Sequence, residues 1–290
     1  EGFVFYNFPL PILKIMKVGI VGASGYTGQE LLSLLITHPQ IELSTVTSRA
    51  HAGKPLSSVI PKLGKLGQGK SFVSPSIEEL VKSEIELFFL ALPHGTAAQY
   101  AIPLLDAGKK IIDLSADFRL NNAAIYEEFY GAKHPAPEWL PLAQYGLPEL
   151  HDLSWTKSSL IASPGCYPTS ILVPLAPLLA DDLIEGADII VNSISGISGA
   201  GKNASERLLF CERNESAGPY GLPKHRHLSE IEEQLSLFSG QSIVLSFHPH
   251  LGPMSRGLCS TISVRPKNNL NPAAILDCWE SSYSNREFVQ

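Results

Sequence analysis

Lys17-Val-Gly-Ile-Val21 running into Gly22-Ala-Ser-Gly25-Tyr-Thr-Gly28 is the stretch whose reading decides the fold. A β-branched run that ends in glycines and opens onto a leucine-rich segment predicts a strand, a tight turn and a helix. In this GxxGxxG spacing Gly22 permits the turn, Gly25 lets the backbone approach a pyrophosphate, and Gly28 lets helix and strand pack closely. The helix N-terminus faces the anion, which makes Ser24, Tyr26 and Thr27 candidate neighbours of a dinucleotide. The helix is expected over residues 25–37, with Leu31, Leu32, Leu34 and Leu35 turned inward. A second strand is expected over residues 41–47.

That second strand runs out as Thr45-Val46-Thr47-Ser48-Arg49, with no acidic residue to hold ribose hydroxyls. The hydroxyl of Ser48 and the guanidinium of Arg49 suit a 2′-phosphate instead, because Arg can bond it bidentately. NADP(H) is therefore favoured over NAD.

Downstream, IELFFLAL (residues 85–92) is a nearly continuous apolar run, as expected of a strand covered on both faces. A helix over 96–107 and a strand over 110–114 continue the alternation, so the first part reads as a parallel α/β sheet. Residues 121–163 are rich in Pro, Trp and Tyr, lack periodicity, and are expected to form a loop-rich bridge. From Pro164 the pattern changes. A helix through Asp182 and a strand over 187–195 lead into a glycine-rich loop and a polar helical stretch, and strands are expected over 242–247 and 258–264. Fewer βα units and more loops indicate an α+β second domain. The expected organisation is a nucleotide-binding domain over 16–163, a second domain over 164–290, and an extension over 1–15. That extension is apolar but has no basic start and is interrupted by Pro9 and Pro11. It therefore fits a signal peptide poorly, and Met16-Lys17 makes a natural beginning.

Composition narrows the function classes. With 44% hydrophobic and 17% charged residues in a chain of 290, the protein is of the folded globular kind. A formal net charge of -6 without a Lys/Arg cluster argues against a nucleic-acid surface. No apolar run approaches the ~20 residues that span a bilayer. The four cysteines, Cys166, Cys211, Cys259 and Cys278, lack CxxC spacing, which argues against a disulfide framework and a zinc ribbon.

Ser163-Pro-Gly-Cys166-Tyr-Pro168-Thr169 supplies a nucleophile. Pro164 and Gly165 force a turn, Pro168 fits the first turn of a helix, and Cys166 falls at that helix's N-terminus. Free N–H groups and the dipole there favour a thiolate. The other three cysteines read as small buried hydrophobes. A thiol beside a nicotinamide implies attack on an acyl phosphate, a thioester, and reduction to an aldehyde, or the reverse. Such chemistry needs an acid/base group. Among nine histidines, Lys224-His225-Arg226-His227 stands out before a helix expected near Ser229. Alternate residues of an extended segment share a side, so His225 and His227 are placed to address one site. Metal binding by the pair is the rival reading, without an evident third ligand. His38 and His51 read as surface residues, and His134 as part of the bridge.

GASGYTG (22–28), LPHG (92–95), DLSADFR (113–119), PGCYPT (164–169), SGISGAGK (195–202), HRH (225–227) and PHLGPM (249–254) together resemble the N-acetyl-gamma-glutamyl-phosphate reductase family, in the family's order from Met16 onward. The resemblance implies a Rossmann-type doubly wound NADP-binding domain plus an α+β catalytic and dimerisation domain of the semialdehyde dehydrogenase type. It also implies a cytoplasmic homodimer or homotetramer that reduces N-acetylglutamyl 5-phosphate to the semialdehyde with NADPH in arginine biosynthesis. Carried over residue by residue, Cys166 is the nucleophile and the pair His225 and His227 supplies the acid/base, with His225 favoured and His227 open. Pro93, Ser198 and Gly199 become cofactor contacts, and Arg119 and Lys202 substrate contacts, with no metal. Family members continue past the point matching Gln290 with a segment that returns to the first domain. The competing readings are an aminoadipate-linked relative, aspartate-semialdehyde dehydrogenase, and a non-catalytic NADP-binding regulator. Tyr167 and Pro168 argue against the second, and the intact Cys166 and histidine pair against the third.

Overall fold

The computed structural model describes residues 15–151, 156–267 and 270–290. Of the extension expected over 1–15, all but Ile15 lies outside the described residues. The chain divides into two compact units, one ending at Phe89 and one beginning at Leu90.

In the first unit β1 (Met16–Val21) lies between β2 (Ile41–Val46), with which it pairs in parallel, and β3 (Leu87–Leu90). The helices are α1 (Tyr26–Leu35), the single turn α2 (Leu56–Val59) and α3 (Ile77–Lys82), the last closed by a capping box between Ser76 and Glu79. Val18, Ile20, Leu32, Leu56 and Phe72 are fully buried and form the core. Gly19 has no side chain because Phe88 occupies its place, 2.7 Å from where a Cβ would stand. Leu34, expected inward, is 70% exposed. At 100° per residue four leucines within five positions cannot all face the sheet, and only Leu32 and Leu35 are buried. The strand expected over 85–92 is confined to Leu87–Leu90.

The second unit begins with α4 (Ala97–Asp106), β4 (Lys110–Asp113) and α5 (Ala123–Tyr130). It continues through β5 (Gln144–Tyr145), β6 (Leu160–Ala162) and α6 (Cys166–Ala180). Then come β7 (Ile189–Ser195), α7 (Phe210–Arg213), β8 (Gly218–Pro219), α8 (Arg226–Ser239), β9 (Leu245–Leu251), β10 (Leu258–Ser263) and α9 (Pro272–Tyr283). The expected loop-rich bridge is therefore a correction: it contains α5, capped by Asn122, and β5 and β6, which lie parallel to each other and extend from β4. Strands of two and three residues are too short to show alternation in sequence.

A second sheet, ordered β10-β7-β9-β8, mixes a parallel pair (β7 with β9) and antiparallel pairs, as α+β architecture requires. Its inner face, with Val191 and Phe247, packs on Tyr167, Ile171 and Leu172 of α6 and Ile231 and Leu235 of α8. α8 starts three residues earlier than expected, at Arg226, because His225 itself caps it. Cys278 is buried as expected, whereas Cys211 and Cys259 are exposed. In β10 alternate residues face outward, and Cys259 is one of them.

Candidate active site

The glycine turn has the geometry its spacing demands. Gly22 adopts φ 87°, a left-handed conformation that favours glycine, and its N–H donates to Thr47 Oγ1 at 3.1 Å. A Cβ on Gly28 would stand 2.6 Å from Ala23 Cα, so only glycine lets α1 approach the turn. Gly25 caps α1 and has no neighbour within 4 Å of an added Cβ, which leaves its backbone open to an incoming phosphate. The first turn of α1 carries no acid, and Tyr26 and Thr27 are exposed there. Ser48 is buried and donates to Ser24 Oγ at 3.0 Å, while Arg49 follows it at the surface. An anionic dinucleotide thus fits this end of the first unit.

In the second unit a cavity of about 750 Å³ gathers the remaining chemistry. Cys166 opens onto it from the first residue of α6, and Gly165 caps that helix. Burial pushes the thiol up, and the N–H groups at the helix start and Arg119 oppose this without cancelling it. The N–H groups at the helix start favour the thiolate in the expected direction, and burial outweighs them. The thiol is exposed on the cavity wall, so solvent limits the effect, but a proton acceptor is still needed.

Two imidazoles stand in the same cavity. The ring centroids of His225 and His227 are 5.0 Å apart. They meet because one caps α8 and the other sits in its first turn, rather than by alternation along an extended segment. His225 Nδ1 accepts the His227 backbone N–H at 3.1 Å. His227 Nδ1 is buried with no hydrogen-bond partner among the described residues. Burial first, then neighbouring positive charge, pushes both imidazoles down to about 3, so both are neutral near pH 7. Among the described residues no group of three or more His, Cys, Asp or Glu is placed to hold a metal.

Arg119 reaches this wall but is heavily committed. Nε donates to Ser163 O at 2.8 Å, Nη2 to Leu114 O at 3.0 Å, and Nη1 lies 3.4 Å from Glu230 Oε2. Glu230, 1% exposed, also accepts from Gly165 N–H at 2.8 Å and from Tyr145 OH at 2.8 Å. Pro93 and Gly199 line the cavity. Ser198 sits in the 3₁₀ turn Ile197–Ala200, and Lys202 is exposed on the loop after it; neither lines the cavity.

Sequence reading missed several members. Glu230 lies in a segment that reads as a polar helix, and nothing local marks it as buried. Tyr220 donates to Tyr167 OH at 3.0 Å within the cavity lining. Arg207, Arg213 and Arg226 join Arg119 on the wall, and among the described residues no carboxylate does. No sequence signal marks the arginines, which are spread over residues 207–226 with Glu212 and Glu215 among them. One bland reading changes, since His51 is half-buried against Phe72; His134, within the expected bridge, is buried with Nε2 2.7 Å from Asp117 O.

Comparison with known proteins places this geometry. Residues 17–156 match the semialdehyde dehydrogenase NAD-binding domain, and residues 166–290 match the semialdehyde dehydrogenase dimerisation domain. The chain is 48% identical over 279 residues to the N-acetyl-gamma-glutamyl-phosphate reductase of Akkermansia muciniphila, covering 96% of this chain and 80% of that protein. It is 46% identical over 280 residues to the reductase of the same name from Desulfotalea psychrophila, covering 95% and 79%. Among solved structures, aspartate semialdehyde dehydrogenase II of Vibrio cholerae aligns with a TM-score of 0.68 at 18% identity, over 93% of this chain and 80% of that one. Aspartate semialdehyde dehydrogenase of Candida albicans aligns at 0.64 and 17%, over 91% and 76%, and at these identities the likeness is one of fold. No helix among the described residues is long and apolar enough to cross a membrane.

Proposed function

The chain belongs to the N-acetyl-gamma-glutamyl-phosphate reductase family, and from that premise we propose that it reduces N-acetyl-L-glutamyl 5-phosphate to the 5-semialdehyde and phosphate, with NADPH, in arginine biosynthesis. The observation that carries this reading is a cavity holding Cys166, two neutral imidazoles and four arginines, with no carboxylate on its wall among the described residues. The substrate has a carboxylate at one end and an acyl phosphate at the other. A wall of guanidinium groups without anions matches that charge and gives bidentate partners to both ends.

Cys166 is the nucleophile, and its thiol, held protonated in the resting site, passes its proton to an imidazole as sulfur attacks the acyl carbon. Arg119 acts chiefly by holding Ser163 and Glu230, and thereby the Gly165 cap that fixes Cys166. A nicotinamide bound here would supply the hydride for the thioester. Gly22, Gly25 and Gly28 hold the cofactor's pyrophosphate, with Ser24, Tyr26 and Thr27 beside them, and Ser48 and Arg49 read the 2′-phosphate. Pro93, Ser198, Gly199 and Lys202 are contacts assigned by family resemblance. The dimerisation domain supports an oligomer, here a homodimer or homotetramer, acting in the cytoplasm.

The test is phosphate-dependent reduction of NADP⁺ with N-acetylglutamate 5-semialdehyde. Wild type is expected to turn over, whereas Cys166→Ser should fold normally and lose essentially all activity. A wild-type protein inactive with this aldehyde but active with a longer or unacetylated one would move the reading to a sister reductase.

A further inference from the structure

A backbone N–H can only donate. The 3.1 Å contact from His227 N–H to His225 Nδ1 therefore marks that nitrogen as an acceptor carrying no proton. A neutral imidazole carries one proton, so in His225 it must sit on Nε2. We infer that the start of α8 locks His225 as the Nε2–H tautomer, which donates a hydrogen bond to the acyl oxygen, while His227 accepts the proton of the Cys166 thiol. This division of labour rests on the thioester chemistry proposed above.

The surroundings of the two rings support it. His225 packs edge-on among Tyr167, Tyr220 and Phe247, with centroids 5.4, 5.3 and 5.5 Å away. The titratable or charged groups facing it are His227, Arg226, Tyr167 and Tyr220, and none is a carboxylate that would stabilise an imidazolium. For His225 to accept a proton, Nδ1 would have to release the cap. The new positive charge would then stand at the positive end of the helix dipole. His227 shares the dipole and lies near Arg119 and Arg226, but it has no cap to release. Its Nδ1 has no partner among the described residues, and its Nε2 lies against Gly165, the residue preceding the thiol.

The half-reaction balances without a reductant. The thiol proton moves to His227 as the S–C bond forms. The carbonyl electron pair moves onto oxygen, where the His225 Nε2–H meets it. The C=O bond re-forms, the C–O bond to phosphorus breaks, and phosphate departs with that electron pair and the proton held on His227. Thiol and acyl phosphate have become thioester and hydrogen phosphate.

Two measurements decide the matter. The first is ¹⁵N NMR of histidine-labelled protein, assigned with His225→Asn and His227→Asn; Asn is a good N-cap, so the first variant keeps α8. The expected result is a His225 Nδ1 that resonates as unprotonated and does not titrate between about pH 5 and 8. A protonated Nδ1, or titration near the ordinary histidine value, overturns the assignment. The second is single-turnover thioester formation from N-acetylglutamyl phosphate without cofactor. His227→Ala should lose on the order of 10²–10⁴ in rate and regain part of it with added imidazoles, the more basic ones working better. His225→Gln, which still offers an N–H, should outperform His225→Leu by at least about tenfold and ignore the basicity of added imidazole. The reverse pattern assigns the base to His225 and overturns the inference. If wild type forms no thioester with this acyl phosphate, the substrate reading fails while the NMR result still decides the tautomer.

Discussion

Gly165 fills a gap that would not admit a methyl group. A Cβ there would stand 2.7 Å from His227 Nε2 and 3.0 Å from Arg119 Nη1. Gly165→Ala should push the imidazole away from the thiol and lower kcat on the order of 10²-fold while KM changes little, as steady-state kinetics would show. An unchanged kcat would mean the ring moves without consequence. Behind the glycine, Glu230 balances Arg119 and accepts the Gly165 N–H. Glu230→Ala leaves a buried guanidinium without its counter-charge and a buried N–H without its acceptor. The expected cost is about 3–5 kcal/mol, read from the urea midpoint. A loss under about 1 kcal/mol would show that water reaches the pair. Cys166 was legible in sequence because Pro164, Gly165 and Pro168 mark a turn and a helix start within five residues. Glu230 was not, because its partners lie 65 and 111 positions away and its own helix reads as surface.

Elements carry the cofactor preference. β2 delivers Ser48 and Arg49 to the same end of the first unit as the α1 N-terminus, since Ser48 donates to Ser24 Oγ. Arg49→Ala should weaken NADPH by about 1.5–3 kcal/mol and leave NADH nearly unaffected, as measured by fluorescence titration of both. Equal losses would show that Arg49 does not read the 2′-phosphate. The strand–turn–helix was legible because Gly22 and Gly28 answer separate steric demands at a fixed spacing. The start of α8 was not, because Ser, Thr, Asp and Asn are the usual caps and here an imidazole serves. The span 121–163 was also misread, since its Pro and aromatic content hides an eight-residue helix whose cap, Asn122, looks like ordinary loop composition.

At the scale of the whole molecule, buried ionisable groups set the response to acid. His225 and His227 sit at about 3 in the folded state against an ordinary 6.5, so the stability they contribute is complete above about pH 6.5 and is lost as pH falls toward 3. Asp113, buried beside Ser115, works the other way: burial raises it to about 7, so the folded chain binds its proton first and gains as pH falls from 7 to about 4. Two protons favour the unfolded state and one the folded state. Together they predict a net loss of about 1.4 kcal/mol per pH unit between about pH 6 and 4, steepening below as unfolded Asp113 also protonates. Chemical denaturation across that range measures the slope, and a stability that rises by about 1.4 kcal/mol per unit of falling pH would mean the imidazoles charge without penalty and only Asp113 is left. α8 carries both the site and the core. The first five residues of this helix carry His227 and Glu230, and the next turns carry Ile231 and Leu235 into the core. Enzymes whose working groups sit on surface loops commonly go silent on warming well before they melt. Here the working groups and the core share one rod, so the heat-inactivation curve should overlay the loss of helical circular dichroism, making residual activity after a heat pulse a direct count of molecules still folded.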